Sequence, residues 1–157
     1  MPEPRLPDAE PAAANAIRTV ALAVCRDGDR ILVERGYDHV RDEHFLRAIG
    51  GGVEFGERAV DALAREWREE LGLELEAPAL LGVMENLFTS NGRAGHEVVF
   101  VFEARLADAR VYGRDEFTST EPDGSRHVAV WVPLDELRHG PTPFKPAGLL
   151  DLLPSIP

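Results

Sequence analysis

The sequence predicts an α/β fold of the α+β kind, a sandwich in which helices pack on a central mixed β-sheet. Two observations carry this. Val99-Val-Phe-Val-Phe102 is β-branched and aromatic without polar alternation, as a strand buried on both faces is. Arg58 to Leu71 has apolar residues at helical spacing and lies between groups of extended segments, so the chain runs strands, helix, strands and a closing helix.

Taken in order, Ile17 to Cys25 reads as a strand, Arg26-Asp-Gly-Asp29 as a turn and Arg30 to Glu34 as a second strand, together a hairpin. Gly36 to Glu43 is a polar loop, and His44 to Ile49 a short strand ending in Gly50-Gly51-Gly52. The helix over Arg58 to Leu71 is closed by Gly72 as its C-cap. Leu80 to Phe88 and Glu97 to Ala107 are extended and flank the hairpin-type turn Ser90 to Gly95. Asp108 to Gly124 reads as a long polar connection. His127 to Val132 is a further strand, Pro133 to Leu137 starts a short helix, and Ala147 to Leu153 offers a last one. Pro2, Pro4, Pro7 and Pro11 forbid a stable helix at the start, so residues 1–15 are expected to be a flexible tail and 16–157 a single domain.

The bulk properties narrow the function. A chain of 157 residues fits one domain and buries about two thirds of its unfolded surface, so it needs no structural metal or disulfide. Cys25 is the one cysteine, which rules out a disulfide framework and a zinc spacing; in its apolar run it reads as a small buried hydrophobe. No apolar stretch approaches the roughly 20 residues of a membrane span. The first residues lack the basic start and apolar block of a signal peptide, so a cytoplasmic address is expected. The net charge of −11 argues against nucleic acid as a partner. It leaves room for a small phosphate ligand if cations stand between protein and phosphate.

On a helical wheel Val60, Leu63, Ala64, Trp67 and Leu71 form the core-facing stripe, and Glu66, Glu69 and Glu70 fall together on its flank. Like charges at such spacing cost a few tenths of a kcal/mol per pair. A hard divalent cation, Mg²⁺ or Mn²⁺, takes oxygen ligands and would neutralise them. By themselves the three carboxylates fit equally well the solvated face of an acidic chain.

Their context decides. Gly51, five residues, Glu57, seven residues, then Arg65-Glu66-Trp67-Arg68-Glu69-Glu70-Leu71-Gly72-Leu73 resembles the Nudix box of the Nudix hydrolase superfamily. Trp67 is the one departure, a large aromatic where that family prefers Ile, Leu or Val; it sits on the apolar stripe, so a wider local core is expected. The resemblance implies a Nudix-like α/β/α sandwich with a central mixed sheet across residues 17–153. It implies that Glu57 pairs with Arg65, and that Glu66, Glu69, Glu70 and the Gly51 carbonyl hold Mg²⁺ (or Mn²⁺). It implies hydrolysis of a phosphoanhydride bond in a nucleoside diphosphate derivative or nucleoside triphosphate. The alternative is a non-catalytic sensor of nucleotide metabolites on the same fold. An isomerase acting on an isoprenoid diphosphate would want a cysteine nucleophile in a pocket, and Cys25 lies in a strand before the box.

Glu85-Asn86-Leu87-Phe88 and Gly95-His96-Glu97 resemble a motif pair carried by one branch of that family. Glu85, Asn86 and His96 are therefore candidate substrate contacts. Arg47 joins them, and Arg30, Arg35 and Lys145 are further cations that could meet phosphate. Phe88 and Phe144 suit either a stacked base or the core. Carboxylates bound to metal are poor bases, so the general base is sought elsewhere: Glu121 first and Glu97 second, with Asp115 and Glu116 behind them in the long connection. The catalytic set is thus Glu57, Arg65, Glu69, Glu121 and Glu97. The region Phe88 to Asn91 carries neither the proline nor the tyrosine that marks particular substrates in the family. The partner is a small nucleotide-like diphosphate, and a homodimer is left open.

Overall fold

The computed structural model describes residues 15–154; the N-terminal tail expected over 1–15 falls, up to residue 14, outside them. The elements are β1 (Ile17–Asp27), β2 (Arg30–Asp38), β3 (Glu43–Arg47), β4 (Ile49–Gly52), α1 (Ala59–Leu71), β5 (Leu75–Ser90), β6 (Arg93–Leu106), β7 (Glu116–Thr120), β8 (Arg126–Pro133), α2 (Leu134–His139) and β9 (Phe144–Lys145), with 3-10 turns at Ala109–Gly113 and Leu149–Leu152.

The sheet is mixed and has two arms. In one, β4 pairs antiparallel with β1, β1 parallel with β6, and β6 antiparallel with β5. In the other, β2 lies between β3 and β8, with β9 beyond β3 and β7 beyond β8. The arms join where the end of β1 meets the start of β2, at Arg26 with Ile31 and Asp27 with Arg30. The expected β1–β2 hairpin is therefore paired only at its tip; upstream, β1 spends its ladder on β4 and β6.

The strand period of two explains the continuous apolar run of β1. Ala21, Ala23 and Cys25 face the core beneath α1, together with Leu32, Phe102, Ala104, Ala129 and Trp131. Val20, Leu22 and Val24 face the opposite core, together with Ile31, Val33, Val99, Val101, Leu137 and Leu149. A strand covered on both faces has no polar side to show. Cys25 is fully buried, and burial pushes its thiol up to about 11, which removes it as a nucleophile.

α1 starts after Arg58 and ends at Gly72, whose left-handed backbone (φ 67°) turns its own N–H to the Arg68 carbonyl and that of Leu73 to the Trp67 carbonyl. Trp67 is fully buried, in a cluster that also holds Ala21, Ala23, Ala62, Ala104 and Ala129; small neighbours make the room that an indole needs. Its Nε1–H donates to the Ile49 carbonyl at 3.1 Å, so the residue that departs from the family pattern also ties the helix to the strand leading into the glycine run.

Two expectations need correction. The polar loop over Gly36 to Glu43 is shorter, because β2 continues to Asp38. Asp108 to Gly124 is not a free connection: it holds a 3-10 turn and β7, which pairs with β8 from Glu116↔Val130 to Thr120↔Arg126. Its polar residues sit on an edge strand, where one side faces water. Among the described residues no helix is long and apolar enough to cross a membrane.

Candidate active site

A cavity of about 940 Å³ lies between the two arms of the sheet. Arg18, Val20 and Leu22 of β1, Phe45 and Arg47 of β3, and Asn86, Phe88 and Glu97 of the β5–β6 ladder form its walls, with Lys145 to Ala147 closing one side. Gly50, Gly51 and Gly52 form a stretch of wall without side chains, and through it Glu66 and Glu70 of α1 reach the cavity. The glycine is required. A Cβ at Gly51 would stand 2.3 Å from the Glu66 carboxyl carbon, so any other residue there would displace the carboxylate.

Arg65 organises this end of α1. Its Nε and Nη2 donate to the two oxygens of Glu57, each at 2.9 Å, so the pair implied by the family pattern is present as a bidentate fork. Nη2 also donates to the Gly52 carbonyl at 3.0 Å, while Nη1 donates to Glu66 Oε1 at 2.9 Å and to Glu69 Oε2 at 3.2 Å. One guanidinium thereby fixes the loop, the glycine strand and two box carboxylates against each other. The fork onto Arg65 holds the Glu57 carboxyl below the usual carboxylate range.

The three box glutamates differ. Glu69 is 60% exposed, bound by Arg65 and outside the cavity wall. Glu66 is mostly covered and lines the cavity. Glu70 also lines it, and its Oε2 is buried with no hydrogen-bond partner among the described residues. Burial pushes Glu70 up to about 7, with the charges of Glu34 and Glu66 adding to it and those of His127 and Arg47 opposing.

Glu34 and His127 stand beside Glu70, with one ligand-type atom from each of the three within 4.8 Å of the others. The sequence reading passed over both. Glu34 is 3% exposed. It accepts from Arg47 through Nε (3.2 Å) and Nη2 (3.0 Å) and bonds His127 Nδ1. Glu121 closes the chain at 3.1 Å from His127 Nε2. Burial alone would lower the His127 pKa, but the bond and charge of Glu34, with those of Glu70 and Glu121, raise it overall. The signal was present in the pattern: with β2 continuing past it, Glu34 follows Leu32 on the face turned to α1.

The remaining candidates divide by the pleat of the strands. Asn86 and Glu97 face the cavity, and Asn86 Nδ2 donates to Glu97 Oε2 at 3.2 Å. Glu85 and His96 lie outside the cavity wall, on the other face of the same ladder, 4.0 Å apart; a period of two sends neighbours in sequence to opposite sides. Arg47, Lys145 and Phe88 line the cavity. Arg30 instead pairs with Asp27, Arg35 is exposed, and Phe144 packs with the core under α2. Asp115, Glu116 and Glu121 do not line the cavity, and β7 makes part of the long connection that suggested them an edge strand.

A family model, the NUDIX domain, matches residues 16–153. The human protein named 8-oxo-dGDP phosphatase NUDT18 is 32% identical over 134 residues, which is 85% of this chain and 36% of that protein; the chain spans about a third of the length of that relative. The crystal structure of a MutT NUDIX hydrolase from Burkholderia pseudomallei superposes with a TM-score of 0.63 at 30% identity, covering 87% of this chain and 96% of the other. A NUDIX hydrolase from Nitrosomonas europaea has the same fold (TM-score 0.63, 21% identity, 87% and 86% covered).

Proposed function

The chain belongs to the NUDIX domain family, and on that premise we propose that it hydrolyses a phosphoanhydride bond in a nucleoside diphosphate derivative or nucleoside triphosphate, with Mg²⁺ or Mn²⁺ as cofactor. The observation that carries this reading is Glu70: a buried carboxylate oxygen without a partner among the described residues, beside Glu66, at a gap in the wall of a nucleotide-sized cavity. An all-oxygen donor set of this kind fits a hard divalent cation. Glu66 and Glu70 would hold it, with the Gly51 carbonyl and Glu69 as the further donors that the box pattern implies. Once bound, such an ion neutralises the diphosphate and lowers the pKa of water.

The protein's own residues do the rest. Arg65 keeps Glu66 aimed at the cavity and holds the Glu57 loop against α1. Arg18, Arg41 and Lys145 line the cavity, and none makes an ion pair among the described residues; they meet the anionic phosphates. Glu97, oriented by Asn86, faces the space where water attacks and accepts its proton. It replaces Glu121 as the preferred base, because Glu121 is engaged with His127 outside the cavity. Phe88 offers a ring face to a base, whereas Phe45 is buried with Lys145 Nζ over its ring at 4.2 Å.

The test is a panel of 8-oxo-dGDP, the common nucleoside triphosphates, ADP-ribose, dinucleoside polyphosphates and nucleotide sugars with Mg²⁺ or Mn²⁺. Phosphate is read before and after added phosphatase. 8-oxo-dGDP is included because the human relative carries that activity in its name. Turnover of one class, lost in Glu70→Gln, supports the reading; a wild type inert towards every compound with either ion overturns it.

A further inference from the structure

Asp38 is a buried carboxylate for which the proposed chemistry has no use. It is 1% exposed at the end of β2. Its Oδ1 accepts from the N–H groups of Val40 (2.9 Å) and Arg41 (3.0 Å) in its own turn. Its Oδ2 accepts from the N–H of Asn91 at 3.0 Å, across 53 residues of chain. Asn91 answers with its Oδ1, which accepts from the His39 N–H at 2.7 Å. Asn91 (φ 51°) and Gly92 (φ 77°) are the two central residues of the β5–β6 turn, both left-handed. A Cβ on Gly92 would lie 3.4 Å from a Val40 methyl, so the turns also touch.

These bonds join two segments that lie more than 50 residues apart in the sequence. One carries Arg41; the other carries Phe88, Thr89, Ser90, Ala94 and Gly95, and all of these line the cavity. A long two-stranded ribbon is pliable at its tip unless something holds it. A charged acceptor on a backbone N–H is a strong, directional hold. We propose that Asp38 is a positioning residue: it latches the tip of the β5–β6 hairpin to the β2–β3 turn, and so fixes the outer wall of the cavity in the form that binds substrate. The latch lies on the wall and away from Glu66 and Glu70, so it acts on binding and leaves the bond-breaking step alone. The inference rests on the cavity being the nucleotide site.

Asp38→Asn is the selective variant. Its one remaining carbonyl oxygen can still serve Val40 and Arg41, but its amide then presents N–H to the N–H of Asn91, and the latch opens with the turn intact. Asn91→Gly keeps the turn geometry and removes only the bond to His39, a milder lesion. Amide exchange is measured first, without substrate. In Asp38→Asn the Asn91 amide should exchange about tenfold faster or more, with α1 unchanged. Kinetics with 8-oxo-dGDP and Mg²⁺ come second: KM should rise about tenfold or more while kcat stays within about threefold. Asn91→Gly should move both readouts the same way by less. Unchanged exchange shows that there is no latch. Faster exchange with an unchanged KM shows that the latch is structural only, and a fall in kcat alone places Asp38 in the chemistry; each overturns the proposal. If wild type does not hydrolyse 8-oxo-dGDP, the dissociation constant of Mg·ADP by calorimetry replaces KM. An equal constant in both proteins, or no binding to wild type, overturns the latch's role while the exchange result stands.

Discussion

Glu66 and Glu70 are neighbours because one helical turn separates them; Glu34 and His127 are neighbours although 93 residues separate them. Both pairs end beside the same cavity, built in opposite ways. On α1, spacing alone places the carboxylates, and Arg65 then trims their directions. Across β2 and β8 nothing local places them. Glu34 lies opposite Ala129 in the ladder, and His127 follows two residues away on the same face. A helix sets its cluster by sequence distance and a sheet sets its cluster by register. Damage should differ accordingly: a lesion on the helix cluster stays in the chemistry, and a lesion on the sheet cluster spreads into stability.

The largest effect expected is on the helix side. Glu70→Gln and Glu66→Gln should each lower kcat/KM by about 10³-fold with the fold intact, because each removes charge at the gap in the cavity wall. Glu69→Gln sharpens the comparison. Glu69 sits on the outer flank under Arg65, so its loss should cost at least about tenfold less than that of Glu70. Equal losses at all three positions, measured in one buffer with saturating Mg²⁺, would show that helical spacing alone matters and that the cavity-facing geometry does not.

That contrast also marks what could be read from the sequence. The box reads directly, since every element of it is local: a glycine before a helix, a carboxylate at its start, three more on one flank. The Glu57–Arg65 pair and the Gly51 approach to Glu66 follow from eight to fifteen residues of chain. The resemblance of Glu85-Asn86 and His96-Glu97 to a family motif pair points to all four residues, and Asn86 and Glu97 do face the cavity. Glu85 and His96 rest on the same resemblance, and the pleat turns them away; only register settles which neighbour points inward. Glu34 was hidden by ending β2 too early. His127 was hidden because its role depends on β2 and β8 lying side by side. The strand inside Asp108 to Gly124 was missed because an edge strand with one wet face reads as polar loop.

Arg65→Lys is the next largest. An ammonium keeps the charge but cannot fork onto Glu57 while also reaching Glu66 and the Gly52 carbonyl. Activity should fall between about ten- and a hundredfold, with little change in melting temperature. Wild-type rates in this variant would mean that charge alone suffices.

Glu34→Gln tests the sheet side. The amide can still accept one bond but no longer compensates both Arg47 and His127. A partly unmatched buried group costs about 1–3 kcal/mol. In a domain of this size that lowers the melting temperature by roughly 3–10 °C, alongside a fall in rate of about tenfold. A rate loss without any melting shift would mean that Glu34 belongs with the helix cluster.

The smallest effect expected is a pH dependence at Asp38, and its sign follows from its bonds. The N–H groups of Arg41 and Asn91, joined by that of Val40, hold its carboxyl below the usual range, against the opposing effect of burial. A carboxyl depressed in the folded state contributes stability that is fully present above its unfolded value, about 3.9. That contribution is lost as pH falls through the lower, folded value. Wild type should therefore melt above Asp38→Asn at pH 7 and at pH 5 by the same margin, since in both the carboxylate is ionised folded and unfolded. Below pH 4 the margin should narrow, because the unfolded chain of wild type then binds a proton that the folded chain refuses. Asparagine has nothing to titrate, so the difference between the two melting curves isolates this one group from every other acid that titrates in that range. A margin that stays constant down to pH 3 would show that the charge of Asp38 adds nothing to its hydrogen bonds. The latch would then rest on geometry alone.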